Sequence, residues 1–229
     1  MFYYDPTYLI LIPAIIFTLY AQFKVQATFN KFSKYQAASG LTGAQVARRL
    51  LDSNQLRDVP VELTPGTLSD HYDPRTRVLR LSPEVYHGTS LASLGVAAHE
   101  TGHAMQHAHA YLPLALRNGL FPIANLGSQL GFFLFFLGFV FGGNNFMIDL
   151  GIILFSAFVF FTLLTLPVEL NASNRALAML TEAGFLTRGE EATGARKVLT
   201  AAALTYVASA AMAILQLMRM LLIRGNRDD

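Results

Sequence analysis

The chain contains no cysteine. That excludes disulfides and any zinc or iron–sulfur site held by thiolates, and it is neutral about redox compartment. Charge is also scarce. Only 14% of the 229 residues are Asp, Glu, Lys or Arg, and the formal net charge is +2. So small an excess argues for no nucleic-acid partner, and the few basic residues are better explained by membrane topology. Internal repeats, low-complexity tracts and lipidation motifs are absent too. What is abundant is apolar side chain: 53% of residues, with a mean hydropathy of +0.39. That balance points to a membrane protein.

Four runs are apolar enough to span a bilayer, at about 8–23, 118–141, 146–167 and 199–223. The first ends at Lys24 and lacks both a basic leading region and a small-x-small cleavage site. It is therefore expected to be a retained span and not a signal peptide. Lys24, Lys31 and Lys34, then Arg48 and Arg49, put the segment that follows on the cytoplasmic side. Arg117 marks the start of the second span. Gly142-Gly143-Asn144-Asn145 forms a tight loop into the third. Pro167 is expected to end that span, and a separate polar helix should then run to about Ala183, with Gly184 as its C-cap. Thr187 and Glu190 have the spacing of a capping box for a last long helix from about Arg188. Arg219 and Arg224 near its end leave a surface or bundle helix as the other reading of the fourth run. The expectation is a mainly α, multi-pass membrane protein forming a single membrane-integrated domain over 1–229. Residues 24–117 and 168–198 supply its small extramembrane α+β part.

Within 24–116, Thr42 is a plausible N-cap for a helix whose apolar face is Val46, Leu50 and Leu51. Residues 59–63 alternate like a strand, Tyr72-Asp73-Pro74 reads as a turn, and residues 76–82 read as a second strand. Residues 76–82 could be an edge strand that receives a substrate strand, or an ordinary member of a small sheet. Thr89 or Ser90 caps the next helix, expected to reach about Ala110.

That helix carries His99-Glu100-Thr101-Gly102-His103, an HExxH pattern. Two histidines four apart lie on one helical face, within reach of one metal ion. The glutamate beside the first can take a proton from a water in the metal's open position. A catalytic zinc needs a third protein ligand. Glu169 lies two expected spans away, hence on the same side of the membrane, where a carboxylate at the bilayer edge calls for a partner or a task. His109 has the ten-residue spacing of a metzincin ligand, but Gln106 stands where that pattern needs a turning glycine. An unbroken helix carries His109 about 80° off the metal face. His107 shares the stripe of His99 and His103 but lies two turns from the first. Asp149, suited to a site-2-type intramembrane protease, falls at the opposite membrane face. His71, like His87, is near a turn; it could bind an oxyanion or be simply solvated.

Several segments together resemble the YugP-like family of bacterial membrane zinc metallopeptidases. They are Leu41-Thr42-Gly43-Ala44, Asp70-His71-Tyr72-Asp73-Pro74, the run from Val96 through the histidine motif to Gln106, Leu166-Pro167-Val168-Glu169 with Ala172-Ser173, and Ala201-Ala202-Ala203-Leu204-Thr205-Tyr206. More distantly the chain is similar to HtpX-type membrane proteases. Their downstream Glu-x-x-Ala-Asp signature corresponds here to Glu169-Leu170-Asn171-Ala172-Ser173, with Ser173 in place of the supporting aspartate. The resemblance implies a zincin-like (gluzincin) protease of the bacterial cell membrane, with zinc on His99, His103 and Glu169. Glu100, from the motif itself, would be its general base, and His71, from its place near a turn, an oxyanion stabiliser. The active site would lie on the cytoplasmic side. Expected partners are the lipid bilayer and peptide or membrane-protein substrates, with a homo-oligomer or a membrane-protease complex compatible. Two other classes stay open: a catalytically silent scaffold in a quality-control assembly, against which Glu100 argues, and a true intramembrane protease, against which the long polar segment 24–116 argues.

Overall fold

The computed structural model describes residues 6–141, 143–187 and 189–226. The loop residue Gly142 and the expected helix start at Arg188 lie outside them. A 3-10 turn (Pro6–Leu11) leads into α1 (Ile12–Phe32). Pro13 sits in the first turn of α1, where its missing N–H costs nothing. The apolar run ends at Lys24, yet the helix continues to Phe32 because no proline or glycine interrupts it.

α2 (Gly43–Ser53) opens with a reciprocal capping box. Thr42 Oγ1 accepts the Gln45 N–H at 3.2 Å, and Gln45 Oε1 accepts the Thr42 N–H at 3.0 Å. Three short strands follow: β1 (Val61–Leu63), β2 (His71–Asp73) and β3 (Val78–Leu81). Their order in the sheet is β1-β3-β2, parallel for β1 with β3 and antiparallel for β2 with β3. This corrects two expectations. Residues 71–73 form a strand, because the reversal comes one step later. Asp73 accepts the Arg75 N–H at 2.9 Å and the Thr76 hydroxyl at 2.7 Å, closing an Asx-type turn that ends on Arg77 at φ +56°. And residues 78–81 are the central strand, hydrogen-bonded on both sides, so no substrate strand can add there.

Asp70 fastens the end of β3. It accepts the Ser82 N–H at 2.8 Å and lies 3.0–3.1 Å from the Ser82 hydroxyl. The one-turn α3 (Pro83–Tyr86) leads to α4 (Leu91–Ala108), capped by Ser90, whose Oγ accepts the Ser93 N–H at 3.1 Å. α5 (Leu112–Leu126) starts before Arg117, passes Pro122 and runs through a π-helical turn (Gly127–Gly131) into α6 (Phe132–Val140).

α7 (Asn145–Glu182) is one helix of 38 residues, through Pro167. The expected break there does not occur. A proline inside a helix costs about 3 kcal/mol. Against that, Val168, Ala172, Ala176 and Leu180 are fully buried at helical spacing, and burying side chains such as Val and Leu recovers about 1.5–3 kcal/mol each. α8 (Glu190–Gly225) is also continuous. At its start Glu191, not the expected Glu190, accepts from Thr187, at 2.6 Å from the N–H and 2.7 Å from the hydroxyl.

Four helical stretches are long and apolar enough to cross a bilayer: Pro6–Phe32, Leu112–Val140, Asn145–Glu182 and Glu190–Gly225. The chain is thus mainly α, with a small α+β part. The described residues divide into two compact units. One comprises 6–22, 115–167 and 205–226. Phe135, Ile148, Phe155, Val159, Ala213 and Met220 form its core. Its helices approach closely at Gly131 and Gly151, where a Cβ on Gly151 would lie 2.6 Å from the Gly131 carbonyl oxygen. The two arginines of α8 have partners here. Arg219, 6% exposed, stacks over Tyr8 at 3.7 Å and donates to Thr7 Oγ1 at 3.0 Å, and Arg224 donates to Asp149 at 2.9 Å. Those partners explain how an apolar helix carries two charges.

The other unit comprises 23–114 and 168–204. Its core joins Phe29 and Phe32 of α1, Val46, Leu50 and Leu51 of α2, and Leu79 and Leu81 of β3. Leu94, Ala97 and Ala98 of α4, Leu180 of α7 and Val198 of α8 complete it. Every residue of the site described next belongs to this unit.

Candidate metal centre

The front half of α4 is small and apolar because it is packed into that core: Ala92, Leu94, Ala97 and Ala98 are all fully buried. This burial fixes the helix's rotation and turns His99 and His103 to one side. Their rings meet edge to face with centroids 4.7 Å apart. α7 crosses them closely. A Cβ on Gly102 would lie 2.8 Å from the Ala172 carbonyl oxygen, so only glycine permits this approach.

The crossing delivers Glu169, which is 2% exposed. Its Oε2 lies 3.2 Å from His99 Nε2 and 3.5 Å from His103 Nε2. One ligand atom from each of His99, His103 and Glu169 falls within 4.8 Å of the others. Burial pulls the His103 imidazole towards the neutral form. The Glu169 hydrogen bond and the nearby Glu100 and Glu169 charges outweigh that, and the group stands above its ordinary value.

This donor set fits a zinc ion. Two imidazole nitrogens and a buried carboxylate converge on one point, and two histidines with one glutamate are a ligand set of catalytic zinc that leaves a position open. Glu100, adjacent to His99, is 7% exposed, and among the described residues no hydrogen bond or ion pair engages its carboxylate.

The second nitrogen of each histidine is also occupied. Ser173 Oγ lies 3.2 Å from His99 Nδ1, so the serine that replaces an aspartate does reach the site. Gln106 Oε1 lies 3.0 Å from His103 Nδ1. The Gln106 amide nitrogen donates to the Val168 carbonyl at 2.8 Å and to Asn171 Oδ1 at 3.0 Å, and Arg175 donates to the same Oδ1 at 2.8 Å. Sequence reasoning noticed Gln106 for not being glycine and as the end of a matching run, and gave it no role at the site. The available signal was its place three residues after His103, on the same flank of the helix.

The other candidates lie elsewhere. His71 is exposed, with Nδ1 2.8 Å from the Ser69 carbonyl. Neighbouring strand residues face opposite ways, and it is Tyr72 that reaches α4, with its hydroxyl 2.9 Å from His107 Nδ1. His107 is thus engaged with Tyr72, His109 is the exposed C-cap of α4, and Asp149 pairs with Arg224 in the other unit.

Residues 7–225 match the sequence profile of a family described as "Putative neutral zinc metallopeptidase". The chain is similar to the "Putative membrane protease YugP" of Bacillus subtilis (strain 168): 52% identical over 218 residues, covering 95% of this chain and 96% of that protein. No solved structure matches. A profile match along nearly the whole chain, a half-identical relative and the convergence of His99, His103 and Glu169 together establish that this chain belongs to the "putative neutral zinc metallopeptidase" family.

Proposed function

We propose that the protein is an integral-membrane zinc endopeptidase of the gluzincin type, with one zinc ion held by His99, His103 and Glu169. The observation that carries this reading is a buried carboxylate brought against the metal-facing nitrogens of an HExxH pair. When bound, zinc supplies Lewis acidity that polarises a scissile carbonyl and acidifies water. Glu100 takes the proton of the attacking water and passes it to the leaving amine. Its carboxylate suits that work, being shielded from solvent yet held by no hydrogen bond among the described residues. His71, engaged with Ser69, receives no step. An extended substrate would find a free strand edge at β2, beside α4, since both edges of β3 are filled.

Substrates are membrane proteins or segments close to the bilayer. Glu169 follows the apolar run by only two residues, so the chemistry is tied to the end of a span. The basic residues Lys24, Lys31, Lys34, Arg48 and Arg49 support the reading that this side faces the cytoplasm of a bacterial cell. That location suits a role in membrane-protein quality control, alone or within a larger complex.

The test is peptide cleavage by purified, zinc-loaded protein beside Glu100→Gln. The variant is expected to keep its zinc and lose turnover by about 10²–10⁴-fold, the usual worth of a general base. Equal cleavage by the variant would remove Glu100 from the chemistry. A zinc-loaded wild type without peptidase activity would favour the silent scaffold.

A further inference from the structure

The amide of Gln106 can be oriented by its partners without ambiguity. A backbone carbonyl only accepts, and an arginine side chain only donates. Arg175 donates to Asn171 at 2.8 Å, which makes the Asn171 atom it meets the oxygen. Gln106 faces that oxygen at 3.0 Å and the Val168 carbonyl at 2.8 Å. Two acceptors on one side of the amide demand its NH₂ there. The Gln106 oxygen is left to face His103 Nδ1 at 3.0 Å, so Nδ1 must carry a proton. In the neutral ring the lone pair then sits on Nε2, the nitrogen aimed at Glu169.

We propose that Gln106 is the positioning residue that stores His103 in its metal-ready tautomer, set by a relay running Arg175–Asn171–Gln106–His103. The same side chain grips the carbonyl of Val168, the residue just before Glu169. One amide therefore orients one ligand and ties down the helix that supplies another. Gln106 is fully buried, which shields these hydrogen bonds from competing water. Neither Asn171 nor Arg175 belongs to the group of side chains that converge on the metal position, yet both act on the metal through this chain. The inference rests on the zinc reading given above.

The experiment uses the full-length protein in detergent, with two readouts. In the metal-stripped state, ¹⁵N shifts of His103 report which ring nitrogen is protonated. Zinc titration then gives affinity. At a pH where the ring is neutral, wild type is expected to show a proton on Nδ1 and none on Nε2. Gln106→Met, similar in length but without the amide, is expected to lose that preference and to bind zinc about 10–100-fold more weakly, the usual effect of removing a group that orients a metal ligand. Asn171→Leu is expected to move both readouts the same way. Asn171→Asp, which can accept from both Gln106 and Arg175, is expected to restore them. If Gln106→Met fails to fold, the Asn171 pair decides alone. Wild-type affinity and tautomer in Asn171→Leu, or a neutral wild-type ring protonated on Nε2 instead of Nδ1, would overturn the relay. Unchanged zinc affinity in Glu169→Ala would instead overturn the metal site itself, so the two failures are distinguishable.

Discussion

Proton and metal compete for the same atoms at this centre. In the metal-free chain His103 stands above the ordinary imidazole value of 6.5, because the Glu169 and Glu100 carboxylates outweigh the effect of burial. A group raised in this way stabilises the folded chain fully below its unfolded pKa, and that contribution is lost as pH rises through the folded pKa. Metal binding needs the neutral ring, so its affinity follows the opposite course. In the window that opens at the ordinary imidazole value of 6.5 and runs through the raised folded value, the stripped protein is expected to lose thermal stability as pH rises, while zinc binds more tightly. Paired melting curves and zinc titrations read both trends, and a zinc affinity flat across this window would contradict the assignment of His103. Residue type and spacing made the convergence of His99 and His103 legible, because few patterns place two imidazoles on one turn of helix. Glu169 was legible from topology, being a carboxylate two residues past an apolar run. Gln106 and Asn171 were not: amides have no spacing signature, and their role depends on which helix crosses α4.

That crossing is the decisive relation between elements. α4 and α7 approach so closely that a Cβ on Gly102 would overlap the Ala172 carbonyl. Gly102→Ala gains about 1 kcal/mol of helix propensity and loses about 1–3 kcal/mol to overpacking. Net stability should fall by about 0–2 kcal/mol. The helices must still part by a few tenths of an ångström or more, and Glu169 and Ser173 move with α7. Zinc affinity is therefore expected to fall about tenfold or more with helix content intact. Circular dichroism beside a zinc titration checks this, and unchanged affinity would mean that the close approach does not set the ligand geometry. Elements are also where sequence reasoning failed. Tyr72-Asp73-Pro74 looked like a turn because of its proline, but the Asp73 carboxylate moves the reversal onto Arg75 and Thr76. Pro167 looked like a helix end, but the buried stripe from Val168 to Leu180 carries the helix past it. Residues 76–82 looked like a possible edge strand, and strand order is tertiary information that no local pattern contains. The capping box of α2, a purely local device, was half anticipated from Thr42.

For the whole molecule, composition foretold most: four apolar helices with little charge between them. The absence of cysteine now becomes useful, since any introduced thiol is the only one in the chain. Ser53 is exposed at the end of α2, in the segment proposed to face the cytoplasm. Ser53→Cys in intact cells is expected to react with a membrane-impermeant maleimide only after permeabilisation. Labelling from outside would invert the topology. The central claim, that two histidines of α4 and a glutamate of α7 hold a catalytic zinc, is tested most directly by the zinc content of Glu169→Ala beside wild type. Both are stripped, reloaded and purified alike. Wild type is expected to retain about one zinc per chain and the variant, left with two protein ligands, to retain little. Full zinc in Glu169→Ala would contradict the account.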